Sequence, residues 1–285
     1  MDILNLTDVE KSQIKFKISQ FPDGQQSVTI TSESVSEELQ IRSRLNSFRD
    51  LELIICATQA LRELGVKTIH LYVPYFLGAR SDRKFSKGSS NYLKTVICPV
   101  INSQNFASVS VIDPHSDVLE ACLNNFRKIN NLALAKFAID QIGLENTVII
   151  SPDAGALKKV YDVAEAVGCN DIIIASKHRD IKSGQITHTD VPVNMTHANK
   201  KFVIFDDICD GGRTFTEIAK VVKEKFPEAK IYLVITHGIF SAGLRPLNQA
   251  FAGIFCTNSF IDMNNNEFSM RNDNELHKLK QLNVF

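Results

Sequence analysis

The pattern of apolar and polar positions predicts short buried strands that alternate with amphipathic helices. The run Lys201–Phe205 is apolar and rich in residues that favour strands, as in a strand covered on both faces. After a glycine turn, Phe215, Ile218, Ala219 and Val222 repeat with helical spacing and form one apolar face. Strands and helices that alternate in this way predict an α/β fold with parallel sheets.

The same pattern predicts elements along the rest of the chain. The predicted strands are Lys15–Ile18, Ser27–Ile30, Thr68–Tyr75, Ser108–Asp113, Val148–Ile150, Ile172–Ala175, Ile231–Ile235 and Ile254–Cys256. The predicted helices are Phe48–Leu64, Asn91–Gln104 with a kink or an early end at Pro99, Asp117–Phe126, Leu132–Ile142 and Ala156–Val167. Because the pattern begins again near residue 130, we expect two domains, 1–130 and 131–264, with the polar tail 265–285 packing back on the first.

Composition narrows the class of protein. The chain has 285 residues, enough for two domains, and Lys plus Arg equals Asp plus Glu. Zero net charge creates no overall field toward nucleic acid or a membrane surface, and no apolar run approaches the roughly 20 residues of a membrane span. The first residues lack the pattern of a secretory signal. Six scattered cysteines without a C-x-x-C pair predict free thiols in a reducing cytoplasm.

An acidic pair and a glycine turn follow the strand Lys201–Phe205. Asp206 and Asp207 stand at its predicted end, and the turn Asp210–Thr214 leads into the next helix. Glycines at a helix N-terminus favour phosphate binding, and two carboxylates can bind sugar hydroxyls or a divalent cation. The alternative is an ordinary junction in which Asp210 or Thr214 caps the helix. The presence of two adjacent aspartates favours the first interpretation, a binding site for a phosphorylated sugar.

Other predicted strands also end in groups that could carry chemistry. In chain order these groups are Arg80 and Arg83, Asp113 and His115, Asp153, and Lys177 and Arg179. Arginines pair with phosphates, whereas a carboxylate beside an imidazole suits a metal ion or its water. The alternatives are solvated basic loops, a helix cap at Asp153 and a surface turn. Since ligands of open α/β sheets bind outside the carboxyl ends of strands, we expect one cleft in each half.

Taken in order, these segments resemble a known family. The segment VIFDDICDGGRTF resembles the phosphoribosyl pyrophosphate (PRPP) loop of type I phosphoribosyltransferases and of ribose-phosphate pyrophosphokinases. The segments FPDGQ, VPYFLGARSDRK, VIDPHS, ISPDAG, SKHR, ITHGIFS and CTNS resemble the successive motifs of the pyrophosphokinases, from about Phe21 to Ser259. The transferases lack the first half. The resemblance implies two phosphoribosyltransferase-like (Rossmann-like) domains, each a mainly parallel sheet with helices on both faces. It also implies the conversion of ATP and ribose 5-phosphate into PRPP and AMP.

The resemblance implies roles for residues at matching positions. The ATP-binding residues would be Phe21, Asp23 and Gln25, reaching the adenine of a neighbouring subunit's ATP, together with Arg80, Asp82, Arg83 and His115. The residues serving Mg²⁺ would be Asp113, His115 and Asp153. The catalytic residues, which stabilise the transferred diphosphoryl group, would be Lys177 and Arg179. Ribose 5-phosphate would be held by Asp206, Asp207, Asp210, Gly211, Gly212, Arg213 and Thr214.

The chain also departs from the family pattern. Only about twenty residues precede the FPDG segment, where the family usually has a strand–helix unit, so the first sheet is uncertain from sequence. Gln25 stands where the family usually has an acidic residue, Ser81 stands where it usually has Gln, and Arg213 stands where a small residue is common. We expect a cytoplasmic homo-oligomer, dimer to hexamer, with the ATP site near a subunit interface and no nucleic-acid or membrane partner. A non-catalytic regulatory homologue and a phosphoribosyltransferase that uses PRPP remain as alternatives.

Overall fold

The computed structural model describes residues 1–84, 86–179, 186–263 and 273–285, with the backbone alone for 177–179, 186–188 and 273–274. Contacts divide the chain into two compact units. Unit 1 is Met1–Asn130 with Val284–Phe285, and unit 2 is Asn131–Asn283. The division between residues 130 and 131 coincides with the point where the sequence pattern begins again.

Unit 1 is built on a five-stranded parallel sheet in the order β1-β4-β5-β6-β7. Its elements are β1 (Asp2–Asn5), β2 (Phe16–Gln20), β3 (Gln26–Ile30), β4 (Glu38–Arg42), α1 (Phe48–Glu63), β5 (Thr68–Tyr72), α2 (Cys98–Ser103), β6 (Ser108–Ile112), α3 (Val118–Cys122) and β7 (Phe126–Ile129). A short 3-10 turn covers Val9–Lys11, and a π-helical turn, Leu93–Ile97, precedes α2.

Several predicted elements of unit 1 are confirmed. The strands β2 and β3 form an antiparallel hairpin, and α1 begins after a Ser47–Asp50 capping box. Around Pro99, where a kink or an early end was predicted, a π-helical turn runs into α2, whose first turn contains Pro99. The predicted helix Asp117–Phe126 is too long, because α3 ends at Cys122 and Phe126 opens the edge strand β7. The strands β1 and β4 were not predicted, and they form one side of the first sheet.

Unit 2 is built on a six-stranded parallel sheet in the order β15-β14-β13-β12-β8-β9. Its elements are α4 (Leu132–Ile142), β8 (Thr147–Ser151), α5 (Leu157–Val167), β9 (Ile172–Ile174), β10 (Ser176–Arg179), β11 (Ile186–Asp190), β12 (Lys201–Cys209), α6 (Arg213–Lys225), β13 (Ile231–Gly238), α7 (Arg245–Ala250), β14 (Gly253–Thr257) and β15 (Leu279–Leu282). The strands β10 and β11 form a separate antiparallel pair, and 3-10 turns cover Met195–His197 and Asp273–Lys278.

Both faces of the unit 2 sheet are buried, as the predicted α/β class requires. Phe202 and Ile204 of β12 pack with α6 and α7, whereas Val203 and Phe205 pack with α4 and α5. The tail was expected to pack on the first domain. Instead β15 completes the unit 2 sheet beside β14, and Val284–Phe285 alone belongs to unit 1.

The strand β12 is four residues longer than predicted and contains the acidic pair instead of ending before it. Its neighbour β8 pairs only as far as Ile204, whereas β13 continues to pair as far as Cys209. The order of strands reverses between β8 and β12, which is where ligands bind in open α/β sheets. The extended part of β12 therefore places Asp206 and Asp207 at this switch point.

No helix in the described stretches combines the length and the apolar character needed to cross a bilayer.

Candidate functional site

The glycine turn of unit 2 brings the chain from β12 into the N-terminus of α6. Gly212 has a φ of 79°, and a Cβ atom there would lie 2.7 Å from Cδ2 of Leu247. The helix begins at Arg213 with Gly212 in the cap position, so Asp210 and Thr214 do not cap it as the alternative interpretation supposed. Asp210 instead accepts a hydrogen bond from Oγ of Ser241 at 2.5 Å. The N–H groups of Phe215 and Thr216 donate to the carbonyl of Gly212, and the start of α6 presents the positive end of the helix dipole, which suits a phosphate.

The acidic pair is held in two different environments. Asp207 is buried, and its Oδ2 lies 3.2 Å from Nζ of Lys159 on α5. Asp206 accepts the backbone N–H of Asp207 on Oδ1 at 2.9 Å. Burial, together with the charge of Asp207, raises the pKa of Asp206 well above its ordinary value. The pair therefore combines a carboxylate beside a lysine with a carboxyl whose pKa is raised, so that it keeps its proton to higher pH than an ordinary aspartate.

Asp153 lies near this pair, at the end of β8. Its charge also contributes to the raised pKa of Asp206, after the effects of burial and of Asp207. Its Oδ1 accepts the N–H groups of Gly155 and Ala156 at 3.0 and 3.1 Å, which fixes the loop before α5. The structure thus brings Asp153, Asp206 and Asp207 together in unit 2, beside the turn that begins α6.

The raised pKa of Asp206 makes a testable prediction about stability. The folded protein holds a proton that the unfolded chain releases near pH 4, so Asp206 lowers stability as pH rises above about 4. Asp206→Asn cannot lose this proton. Its gain in unfolding free energy over the parent should grow from about pH 4 upward and level off once the folded carboxyl ionises.

Urea denaturation across a pH series measures this gain. Asp140→Asn, which neutralises an exposed carboxylate on α4, is the matched control and should show no such rise. A gain for Asp206→Asn that is constant, or that shrinks as pH rises, would contradict the assigned environment.

Two site residues of unit 2 were missed by the sequence analysis. Lys159 lies three residues after Ala156 and four before Val163, both buried, so its helical position at the margin of the buried face was a usable signal. Ser241 follows β13 and bonds Asp210 across 31 residues of chain. No local pattern marks that contact.

In unit 1, the basic loop that contains Arg80 and Arg83 is anchored through its backbone. The carbonyl of Asp82 accepts from Nδ2 of Asn91 at 2.8 Å, and that of Ser81 accepts from the N–H of Leu93 at 3.2 Å. The side chains of Arg80 and Arg83 are exposed. The loop therefore presents two cations from a fixed backbone after β5.

The segment after β6, the next strand of the sheet, contains Asp113 and His115. Asp113 is buried and has a φ of 41°, a strained conformation for a residue other than glycine. Its N–H donates to the carbonyl of Ile129 at 2.8 Å, which holds the strained residue against β7. His115 is exposed. Strain of this kind clusters at functional sites, which fits the predicted role of this segment.

The tip of the β2–β3 hairpin presents an aromatic ring to solvent. The side chain of Phe21 is 52% exposed, while its N–H donates to the carbonyl of Gln25 at 2.9 Å. The N–H of Gln25 donates to Oδ1 of Asp23 at 3.1 Å, and Gly24 has a φ of 97°. The tip is a closed turn that keeps the Phe21 side chain outside the core.

The predicted catalytic residues lie on β10, whose backbone pairs with β11 so that Lys177 faces Thr189 and Arg179 faces Ile186. The side chains of Lys177 and Arg179 lie outside the described residues, as do residues 180–185.

A metal ion at this protein would have to rely on few protein ligands. Within the described ranges, no three His, Cys, Asp or Glu side chains form a cluster suited to a metal. The predicted ligands Asp113 and His115 belong to unit 1, and Asp153 belongs to unit 2. Carboxylate oxygens in small number fit Mg²⁺, which keeps several of its waters and commonly binds substrate phosphates.

Comparisons with known proteins agree with this architecture. The family model of the phosphoribosyl transferase domain matches residues 119–261. The chain is 24% identical over 250 residues to the ribose-phosphate pyrophosphokinase of Sulfolobus acidocaldarius, covering 86% of this chain and 84% of that relative. It is 27% identical over 257 residues to the ribose-phosphate pyrophosphokinase of Pyrococcus abyssi, with the same coverage of each chain.

One solved structure shares the fold over the whole chain. The phosphoribosylpyrophosphate synthetase from Mycobacterium smegmatis superimposes with a TM-score of 0.81 at 15% identity, covering 100% of this chain and 95% of that one. The predicted fold class is confirmed, and the resemblance found in the sequence is confirmed with it.

Proposed function

Because this chain belongs to the phosphoribosyl transferase domain family, we propose that it is a ribose-phosphate pyrophosphokinase. It transfers the β,γ-diphosphoryl group of ATP to the anomeric hydroxyl of ribose 5-phosphate and gives PRPP and AMP. The observation that supports this most is the combination in unit 2 of an acidic pair, a glycine turn and the N-terminus of α6. The pyrophosphokinase relatives, which match across most of their own length, favour this reaction over a transferase reaction.

Unit 2 binds ribose 5-phosphate in this proposal. The N–H groups of the turn Asp210–Thr214 hold the 5-phosphate at the positive end of α6, and Arg213 adds a cation. Asp207, which is neutralised by Lys159, accepts hydrogen bonds from a ribose hydroxyl. A protonated Asp206 can donate as well as accept, so the pair suits the two neighbouring hydroxyls of the sugar.

Unit 1 binds ATP in this proposal. Arg80, Asp82 and Arg83 contact the nucleotide from the anchored loop after β5. The hairpin tip, with Phe21, Asp23 and Gln25, reaches the adenine of a neighbouring subunit. The exposed aromatic ring of Phe21 supports this part, because such a ring at a turn is suited to stacking on a base.

Magnesium is the proposed cofactor. Asp113 and His115 of unit 1, and Asp153 of unit 2, would each serve Mg²⁺ ions directly or through their waters, and ATP phosphates would supply other oxygens. When bound, Mg²⁺ neutralises charge on the phosphates.

The proposed reaction is a displacement at the β-phosphorus. The anomeric oxygen forms a bond to that phosphorus, the bond from the β-phosphorus to the α-phosphate oxygen breaks, and AMP leaves with the electron pair. The hydroxyl proton passes to solvent. Lys177 and Arg179 are the proposed catalytic residues, because they can stabilise charge on the transferred group, which is the main form of catalysis in phosphoryl transfer.

We also propose a cytoplasmic homo-oligomer with the ATP site near a subunit interface. All six cysteines are free thiols, which suits a reducing compartment. Sedimentation of the purified protein measures its oligomeric state.

The proposed activity predicts that Mg²⁺-ATP yields AMP only when ribose 5-phosphate is present. Separating the nucleotides by chromatography and detecting PRPP by ³¹P NMR would measure both products in equal amounts. Ribose without its 5-phosphate is the matched control and should give almost no AMP. Release of ADP, or AMP formation that is independent of the sugar, would overturn the proposal.

The same preparation discriminates the alternatives. A phosphoribosyltransferase would release pyrophosphate from PRPP and a nucleobase, and a regulatory homologue would bind nucleotide without turnover.

A further inference from the structure

A cavity lies where the strands of the unit 2 sheet begin, at the end of the sheet opposite the acidic pair. It has a volume of about 670 Å³ and lies among the starts of β12 and β13, the 3-10 turn Met195–His197 and the C-terminal end of α6. Two backbone hydrogen bonds tie its floor together, from the N–H of Lys201 to Asn146 and from the N–H of Phe202 to Lys230. We call it the base cavity. Its size is that of a small-ligand site, and its place is remote from the acidic pair along β12.

Four lysines line the base cavity against two glutamates. The lysines are Lys200, Lys201, Lys225 and Lys230, and the acids are Glu145 and Glu228. With all six charged, the lining carries a net charge of +2, or +1 once Asp171, the carboxylate that pairs with Lys200, is included. The chain as a whole has no net charge, so this is a local concentration of cations.

Three of these lysines have no carboxylate partner among the described residues. Lys201 donates to the carbonyls of Ile142 and Gly143 at 2.9 and 2.6 Å, at the end of α4. Lys225 donates to the carbonyl of Val193. Lys230 is exposed at the rim. Each ammonium has three donors, so Lys201 and Lys225 keep at least one for a ligand.

The fourth lysine is held in place by a local network. Lys200 bonds to Asp171, whose other oxygen lies 3.7 Å from Nε2 of His197. Nδ1 of the buried His197 accepts the N–H of Asn194 at 3.0 Å, which fixes the ring. Lys200 is thereby positioned at the cavity with its charge balanced, and Lys201, Lys225 and Lys230 supply the excess positive charge.

We infer that the base cavity binds a small phosphorylated anion, separately from the site at the other end of the sheet. A phosphate group can accept hydrogen bonds from several ammonium groups at once, and a cavity of this volume has room for more than inorganic phosphate. Phe226 lines the same cavity and stacks on Phe202 with ring centroids 6.2 Å apart, so an apolar wall accompanies the cations. This inference does not depend on the proposed function.

The chain contains no tryptophan, which allows a selective test. Phe226→Trp places a single indole at the base cavity. Its fluorescence should change saturably on titration with pyrophosphate, and with AMP as a larger probe, while potassium chloride at equal ionic strength should have little effect. A response that does not saturate, or that chloride reproduces, would overturn the inference.

Two charge-matched double variants identify the cations. Lys225→Ala with Lys230→Ala in the Phe226→Trp protein should weaken pyrophosphate binding by about 10-fold or more, given the strength of charge-assisted hydrogen bonds. Lys136→Ala with Lys220→Ala removes two exposed lysines elsewhere in unit 2 and should leave binding unchanged. Equal effects of the two pairs would contradict a specific site.

Calorimetry repeats the comparison without the tryptophan. One class of pyrophosphate sites found in the parent protein should be absent from the Lys225→Ala/Lys230→Ala variant. The Lys136→Ala/Lys220→Ala variant should keep it. Any binding at the acidic pair and glycine turn stays in both. Retention of every site in the Lys225/Lys230 variant would refute the base cavity even if the proposed function holds.

Discussion

Replacing Gly212 with alanine should lower kcat/KM for ribose 5-phosphate by about 100-fold, the scale of loss expected from misplacing a binding loop by about 1 Å. The backbone at Gly212 has a φ of 79°, which L side chains rarely adopt, and the new Cβ would lie 2.7 Å from Leu247. The turn must therefore move, and the N–H groups at the start of α6 move with it. The effect should fall mainly on KM, because these groups are proposed to bind the 5-phosphate.

Gly211→Ala is the control with the same chemical change. Gly211 has no positive φ, and its nearest contact to an added Cβ is 3.8 Å, an ordinary van der Waals distance. Its kinetics should stay within a few-fold of the parent, about 1 kcal/mol on the usual scale. Circular dichroism would verify that both variants fold. Equal kinetics for the two variants would show that the turn does not need its left-handed residue for activity.

Replacing Lys159 with methionine should destabilise the protein by about 2 kcal/mol and weaken ribose 5-phosphate binding, since a buried carboxylate loses its charged partner. Asp207 would lose the lysine that balances its charge, and the neighbouring Asp206 carboxyl supplies no cation in its place. The side chain of Lys159 is 24% exposed, so the cost is smaller than for a fully buried pair. Urea denaturation and initial rates at several sugar concentrations measure the two effects.

Two further variants separate the ion pair from general damage to α5. Lys158→Met changes the neighbouring exposed lysine and should leave both measurements near the parent values. Lys159→Met combined with Asp207→Asn should recover most of the lost stability but not the activity, because the orphaned charge is gone while the sugar ligand is altered. If the double variant loses as much stability as the two single variants lose together, the pairing of Lys159 with Asp207 is refuted.

Secondary structure was predicted most accurately from the sequence where one hydrophobic pattern extended over a whole element. The helix Leu132–Ile142 matches the structure at both ends, because its apolar positions line one face and Gly143 follows it. The strands β1, β4, β7 and β15 were missed. Their sequences DILN, ELQIR, FRKI and LKQL are short and mix charged with apolar residues, and β1, β7 and β15 lie at sheet edges, where polar residues are common.

The candidate site was predictable as a set of strand ends but not as a set of contacts. The order of strands in an α/β sheet places Asp153 near Asp206 and Asp207, and this follows from chain topology. The pairing of Lys159 with Asp207 depends on the depth at which α5 packs on β12. The extension of β12 through the acidic pair depends on pairing with β13. The local sequence around the acidic pair does not show how far that distant strand continues.

The last two residues of the chain have a consequence for how the protein is synthesised. The carbonyl of Val284 accepts from the hydroxyl of Tyr72 at 2.8 Å, and the buried ring of Phe285 meets that of Tyr72 edge-on, all within unit 1. Domains generally fold as they emerge from the ribosome, N-terminal first. Unit 1 must nevertheless wait for all of Asn131–Asn283 to be translated before these contacts can form. During translation, Tyr72 therefore lacks its contacts to Val284 and Phe285, and unit 1 gains them only after residues 131–283 have been made, although its sequence is made first.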